Sequence, residues 1–282
     1  MAGCSSGWTP GRCSSDREKT MDDAAIRLSN SLRAELDDLA RGCRILELEG
    51  HGDRVVGHMA LRDPDGRGFW MKRAGIGLGE VYDARDFVLL DFDGNQLAGA
   101  GRSHNEWPIH AEILKRRPDI NATLHTHPFW ASLYSACEGP LPTVVPRATT
   151  QPVLPPRWED SAGLVDTPEM GRSLAEKMGD HYAVLLRNHG IAAGGPTIMD
   201  AVLVAIALDK MCREALTIAG SGLKYTSPDE TALLMKMESG RALSAEIVGH
   251  RTLWDYFCRK LARAEARGDP EFAASPVPIP SR

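Results

Sequence analysis

The sequence predicts an α/β protein, a sandwich of helices on a mixed or antiparallel sheet. Two patterns lead there. Segments whose apolar residues recur every three or four positions alternate with short apolar runs. Those runs are separated by Gly- and Asp-containing turns of the kind that close hairpins. No window approaches about 18 uninterrupted apolar residues, so a membrane-spanning segment is not expected, and there is no internal repeat.

The opening residues, MAGCSSGWTPGRCSSDREKT, are rich in Ser, Gly and charge and lack the apolar stretch of a secretory signal. Residues 1–22 are expected to be a disordered leader, followed by one folded domain over 23–268 and a Pro-rich disordered tail over 269–282. From Met21 to Gly50 the spacing of Ile26, Leu28, Leu32, Leu36, Leu39, Ile45 and Leu46 predicts one or two helices. VVGHMALRD, GFWMK and DFVLLD then read as strands, with DPDGRG and DFDGN as turns between them. EWPIHAEILKRR reads as a helix closed by Pro118, and Pro108 fits its first turn, where a missing N–H costs little. INATLHTH is a short strand and FWASLYSAC a helix. Pro140 to Pro156 holds six prolines and forms a long irregular loop. Pro168–Met178 is helical, HYAVLLRNHG a buried strand, and AAGG a turn. Thr197 to Gly220 is the clearest helix, with Thr197 as N-cap and Gly220 just past its end. A last helix covers Ala242 to Arg267.

The 282 residues suffice for one large domain with its own core. A net charge of −5, with no basic stripe, gives no purchase for nucleic acid. Cys4, Cys13, Cys43, Cys137, Cys212 and Cys258 show no CxxC spacing and read as free thiols of a reducing compartment, which places the chain in the cytoplasm.

The chemistry concentrates in histidines. His125 and His127 stand two apart on a predicted strand, so both imidazoles leave the same face and can serve one metal. His189 ends a second apolar strand, and Gly190 beside it permits a sharp turn that leaves the ring at the strand end. Three nitrogens with open positions are what a catalytic metal needs, and they suit iron as well as zinc. Glu106, at a helix start where the dipole favours a carboxylate, is either a fourth ligand or the catalytic acid/base. His110, four residues on, reads as a packing or supporting residue. His58 and His104 sit at strand ends or loops, facing either the pocket or solvent. The run Gly75-Ile76-Gly77-Leu78-Gly79 does not match a dinucleotide fingerprint. GxSxG, HExxH and P-loop motifs are absent, which removes support for serine hydrolase, zincin and NTPase readings.

S-H-N-E106-W, H-A-E-I-L-K-R-R-P-D-I-N-A, H125-T-H127 and R-N-H189-G-I followed by a long helix together resemble the class II aldolase/adducin family, from about Ala40 to Gly220. The resemblance implies a three-layer α/β/α sandwich around a mostly antiparallel central sheet. It implies one divalent metal per chain (zinc, alternatively iron or manganese), held by Glu106, His125, His127 and His189. It also implies a homo-oligomer, a tetramer by preference, with active sites at subunit interfaces and a small-molecule substrate. Adducin-like relatives lost the metal ligands, whereas this chain retains every one.

The sequence departs from the family's sugar-phosphate members at their phosphate-binding positions. His58 follows Gly57, the next loop reads K-R-A-G-I-G, and His104-Asn105 precede Glu106. The substrate-binding candidates are therefore His58, Lys72, Arg73, Gly75, His104 and Asn105, serving a carboxylate or a phenolic ring. The family's tyrosine proton donor has no clear counterpart, and Tyr256 is the candidate. The implied activity is C–C cleavage next to a carbonyl, as a decarboxylase or aldolase, on a non-phosphorylated hydroxy- or oxo-acid. Glu106 would move the proton, which calls for a raised pKa. A second implied class is the non-haem-iron oxygenases that act on aryl-pyruvate side chains, and a third is an adducin-like binding module.

Overall fold

The computed structural model describes residues 28–142, 144, 154–226 and 250–268. The expected leader, the tail, most of the Pro140–Pro156 loop and residues 242–249 of the expected last helix lie outside them.

An eight-stranded sheet forms the middle layer, in the order β4-β3-β2-β1-β5-β8-β7-β6. The strands are β1 (His58–Arg62), β2 (Phe69–Lys72), β3 (Phe87–Leu90), β4 (Gln96–Ala98), β5 (Ala122–Thr126), β6 (Arg157–Trp158), β7 (Ala183–Leu186) and β8 (Gly190–Gly195). Only the β6–β7 pair is parallel, so the sheet is mostly antiparallel as expected. Six α-helices are described: α1 (Asn30–Leu46), α2 (Trp107–Arg116), α3 (Phe129–Ser135), α4 (Pro168–Met178), α5 (Ile198–Ser221) and α6 (His250–Ala266).

Strand alternation divides the core in two. Met59, Leu61, Trp70, Leu89, Ala122 and Leu124 face α1, α3, α5 and α6. Ala60, Phe69, Met71, Val88, Val184 and Leu186 face α2 and α4. The two buried faces make the three-layer α/β/α sandwich. α1 opens on Ser29, whose Oγ accepts from the Leu32 N–H, and runs into a π-turn over Glu47–His51.

Three expectations are corrected. AAGG is not a turn: it lies inside β8, buried along its whole length between β5 and β7. Small residues are needed there because α5 and the chain leading into β5 lie close on the strand. A Cβ on Gly195 would come within 2.6 Å of the Asp200 Cβ, and one on Gly194 within 3.0 Å of Ile120. The strand read as HYAVLLRNHG stops at Leu186, and His189 lies in the turn beyond it. Helix α5 runs to Ser221, and its left-handed cap is Gly222 (φ 68°) rather than Gly220. At its start Thr197 caps as expected, accepting from the Asp200 N–H.

Candidate metal centre

The site sits where three central elements end together. His58, the first residue of β1, lies opposite His125 near the end of β5. On β5, Thr123 and His125 share the face turned towards α2, and His127 continues that alternation just past the strand. His189 comes from the β7–β8 hairpin turn, in which its N–H donates to the Leu186 carbonyl. The turn's left-handed residue is Asn188 (φ 55°) rather than Gly190. Gly190 is required for space: a Cβ there would lie 2.5 Å from the Thr126 carbonyl oxygen and 2.6 Å from the His127 ring.

Glu106 stands at the N-cap of α2 yet does not cap it. Its carboxylate turns inward, taking the Val165 N–H on Oε1 at 3.0 Å. Oε2 lies 3.4 Å from His125 Nε2, and Oε1 lies 3.8 Å from His189 Nε2. One ligand atom from each of Glu106, His125, His127 and His189 falls within 4.8 Å of the others.

The hydrogen bonds behind the rings decide what this cluster holds. His125 Nδ1 lies 2.9 Å from the Ile191 carbonyl, to which it must donate. His127 Nδ1 lies 3.2 Å from Asp53 Oδ2, likewise an acceptor. In the neutral rings both Nε2 atoms therefore carry lone pairs, and these meet at 2.9 Å beside the Glu106 carboxylate. Lone pairs and an anion converging in a buried site repel one another unless a cation lies between them. The donor set fits a divalent metal with three imidazoles and a carboxylate, oriented from behind by Asp53 and the Ile191 carbonyl. The structure thus brings together all four expected ligands.

Burial drives the neighbouring imidazoles neutral. It pushes His189 down to about 4, aided by His125, and lowers His127 against the opposing pull of Asp53. His104 and His110 fall to about 3, and His58 well below its ordinary value, again chiefly through burial. For Glu106, burial alone would raise the carboxyl, but His125 and His58 outweigh it and hold the group well below the usual carboxylate range. The expectation of a raised Glu106 pKa is therefore corrected: the resting group is a carboxylate, held ionised by the imidazoles around it.

The substrate-binding candidates separate. His58 is buried with Nε2 3.9 Å from Glu106 Oε2, and the His104 ring packs 4.6 Å from it, so both stand beside the cluster. Asn105 is exposed. Gly75 (φ 85°) has open space where a side chain would stand. Arg73 is engaged with Asp86 at 3.1 Å. Lys72 is fully buried, its ammonium donating to the carbonyls of Ile76, Val55 and Arg73. It holds the loop together instead of facing the cluster. Tyr256 is half-exposed on α6 against Phe257, and no contact among the described residues links it to the cluster. Sequence reasoning missed Asp53, which no local pattern ties to His127. Thr123 was findable, because strand period places it on the His125 face.

Residues 37–216 match the family described as Class II Aldolase and Adducin N-terminal domain. The chain belongs to this family. It is 33% identical over 204 residues to a 3,4-dihydroxyphthalate decarboxylase of Arthrobacter keyseri, covering 67% of this chain and 77% of that protein. It is 28% identical over 236 residues to a 4-hydroxy-3-prenylphenylpyruvate oxygenase/4-hydroxy-3-prenylbenzoate synthase of Streptomyces roseochromogenus subsp. oscitans, covering 81% of this chain and 80% of that one. In fold it is similar to an aldolase II superfamily protein from Pseudomonas syringae (TM-score 0.73, 23% identity, 84% of this chain and 96% of that one). The chain is a metal-dependent lyase of the decarboxylase or aldolase type, and its Glu/His cluster could hold the metal.

Proposed function

We propose that this lyase decarboxylates a non-phosphorylated hydroxylated acid, with aromatic acids as the preferred class. The observation that carries the reading is the convergence of Glu106, His125, His127 and His189 beside two further imidazoles, the buried His58 and the half-buried His104. By the resemblance read in the sequence, those two take the positions of phosphate-binding side chains in sugar-phosphate members of the family. The similarity to a dihydroxyphthalate decarboxylase supports the same substrate class. Zinc is the first choice of metal, with iron or manganese as alternatives that the same donors accept.

A divalent metal held by the four ligands supplies Lewis acidity towards substrate oxygens, an effect worth several kcal/mol. The chain's own residues do the rest. Glu106, a carboxylate at rest, is the group placed to carry a proton from a substrate hydroxyl, which a bound metal would make acidic, to the carbon from which carbon dioxide departs. His58 and His104 line the side of the pocket beside Glu106 and orient the substrate's oxygens. Tyr256 can serve as a proton donor only by reaching a neighbouring protomer. We place the active form as a homo-oligomer, a tetramer by preference. The exposed Phe129 and Leu133 on α3, directly after His127, offer an apolar contact surface near the site. A reducing cytoplasm suits the unpaired Cys43, Cys137, Cys212 and Cys258.

The direct test is carbon dioxide release from 3,4-dihydroxyphthalate and related hydroxy-acids under nitrogen. Turnover supports the lyase, and none with any acid of this class counts against it. The similarity to the prenylphenylpyruvate oxygenase keeps one rival, an iron-dependent oxygenase. Oxygen uptake with an aryl-pyruvate, and no anaerobic turnover, would establish that activity instead.

A further inference from the structure

His58 lies beside the cluster without belonging to it, and a row of buried polar groups stands behind it. His58 Nδ1 is 2.7 Å from His110 Nε2, and His110 Nδ1 is 2.7 Å from Thr123 Oγ1. In front, His58 Nε2 faces Glu106 Oε2 at 3.9 Å. All three residues hang on rigid elements, β1, α2 and β5, and all three are buried.

A neutral imidazole offers one donor and one acceptor, so only two proton orders fit this row. In the first, the Thr123 hydroxyl donates to His110 Nδ1 and His110 Nε2–H donates to His58 Nδ1. His58 then carries its own hydrogen on Nε2, facing Glu106. In the second, every proton sits at the other end of its bond. The Thr123 hydroxyl hydrogen then finds no acceptor among the described residues, and His58 turns a lone pair towards a carboxylate. Both faults fall in a buried site, where an unmet donor or a repelled lone pair is most costly. The first order is the one the surroundings select.

We propose that His110 and Thr123 are positioning residues that fix His58 as an N–H donor aimed into the pocket, and that this donor selects substrates presenting an anionic oxygen there, a carboxylate or ionised phenol. The selection rests on the lyase reading above, whereas the proton order does not. His104 adds an independent sign of a ligand on this side: its Nε2 is buried without a hydrogen-bond partner, and its ring packs against His58.

The test uses the full chain loaded with zinc, in wild-type, Thr123→Val and Thr123→Ser forms. Metal content and circular dichroism confirm that each variant is folded and loaded. Imidazole ¹⁵N NMR should place the His58 hydrogen on Nε2 in the wild type and in Thr123→Ser, and show a mixture of tautomers in Thr123→Val. Binding of 2,3-dihydroxybenzoate should weaken about tenfold in Thr123→Val and recover in Thr123→Ser, as expected for a misdirected buried donor to an anion. Binding of the matching carboxamide should change little. A wild-type His58 hydrogen on Nδ1, or identical behaviour of the two variants, would overturn the proposal and leave the lyase reading intact. If the wild type bound neither compound, the selection and the lyase reading would fall together, with the proton order judged separately by NMR.

Discussion

At the scale of single residues, the site depends on atoms that face one another without a hydrogen between them. The 2.9 Å approach of His125 Nε2 to His127 Nε2 follows from two bonds made on the far sides of the rings, to the Ile191 carbonyl and to Asp53. Asp53 is thus as much part of the centre as the ligands are. Asp53→Asn keeps the shape but removes the charge that orients and enriches His127, and metal affinity should fall by about 10- to 100-fold in a chelator competition. Glu106 carries a different burden. Glu106→Gln retains the three imidazoles and an oxygen, so the protein should keep its metal while turnover falls by at least about a hundredfold. Full activity of that variant, measured beside its metal content, would remove Glu106 from proton transfer. His125 and His127 were readable as a pair through strand period, whereas Glu106, by itself an ordinary helix-start acid, stood out only beside the histidines and the family resemblance. Asp53 was not readable, because its partner lies 74 residues away and only the fold joins them.

At the scale of elements, close approach explains what local pattern does not. Gly190 through Gly195 carry almost no strand propensity, which is why AAGG resembles a turn. The segment is a strand because β5 and β7 supply its hydrogen bonds and α5 lies too near for larger side chains. Gly190→Ala places a methyl against the Thr126 carbonyl and the His127 ring, and should lower stability by about 1–3 kcal/mol, read from denaturant midpoints. The same substitution should loosen metal binding, since it disturbs β5 at the ligand pair. Lys72 shows how an element end is tied down. Burial lowers its ammonium from an unfolded value of 10.5 to about 8. Across that window the unfolded chain holds the extra proton, so this group makes stability rise with pH from about 8 towards about 10.5. Lys72→Met should remove that rise in urea denaturation curves taken through the window, and an unchanged slope would show that the ammonium is not the source.

At the scale of the whole molecule, the three layers matter because they bring strand ends to one place. β1, β5 and β8 are neighbours at the centre of the sheet, so His58, His125 and the His189 turn meet without any long excursion of the chain. α2 lies on that face and delivers Glu106 from its N-cap. The layered α/β architecture was readable from alternating periodicity, and the α/β/α arrangement only through the resemblance to the class II aldolase/adducin family. The strand order was not, because nothing local states which strands pair. The central claim is that this meeting point is a metal site, and elemental analysis of the purified chain beside a His125→Ala/His127→Ala variant tests it most directly. The account predicts about one divalent metal per chain in the wild type and none in the variant. No metal in the wild type after reconstitution, or equal metal in both, would contradict it.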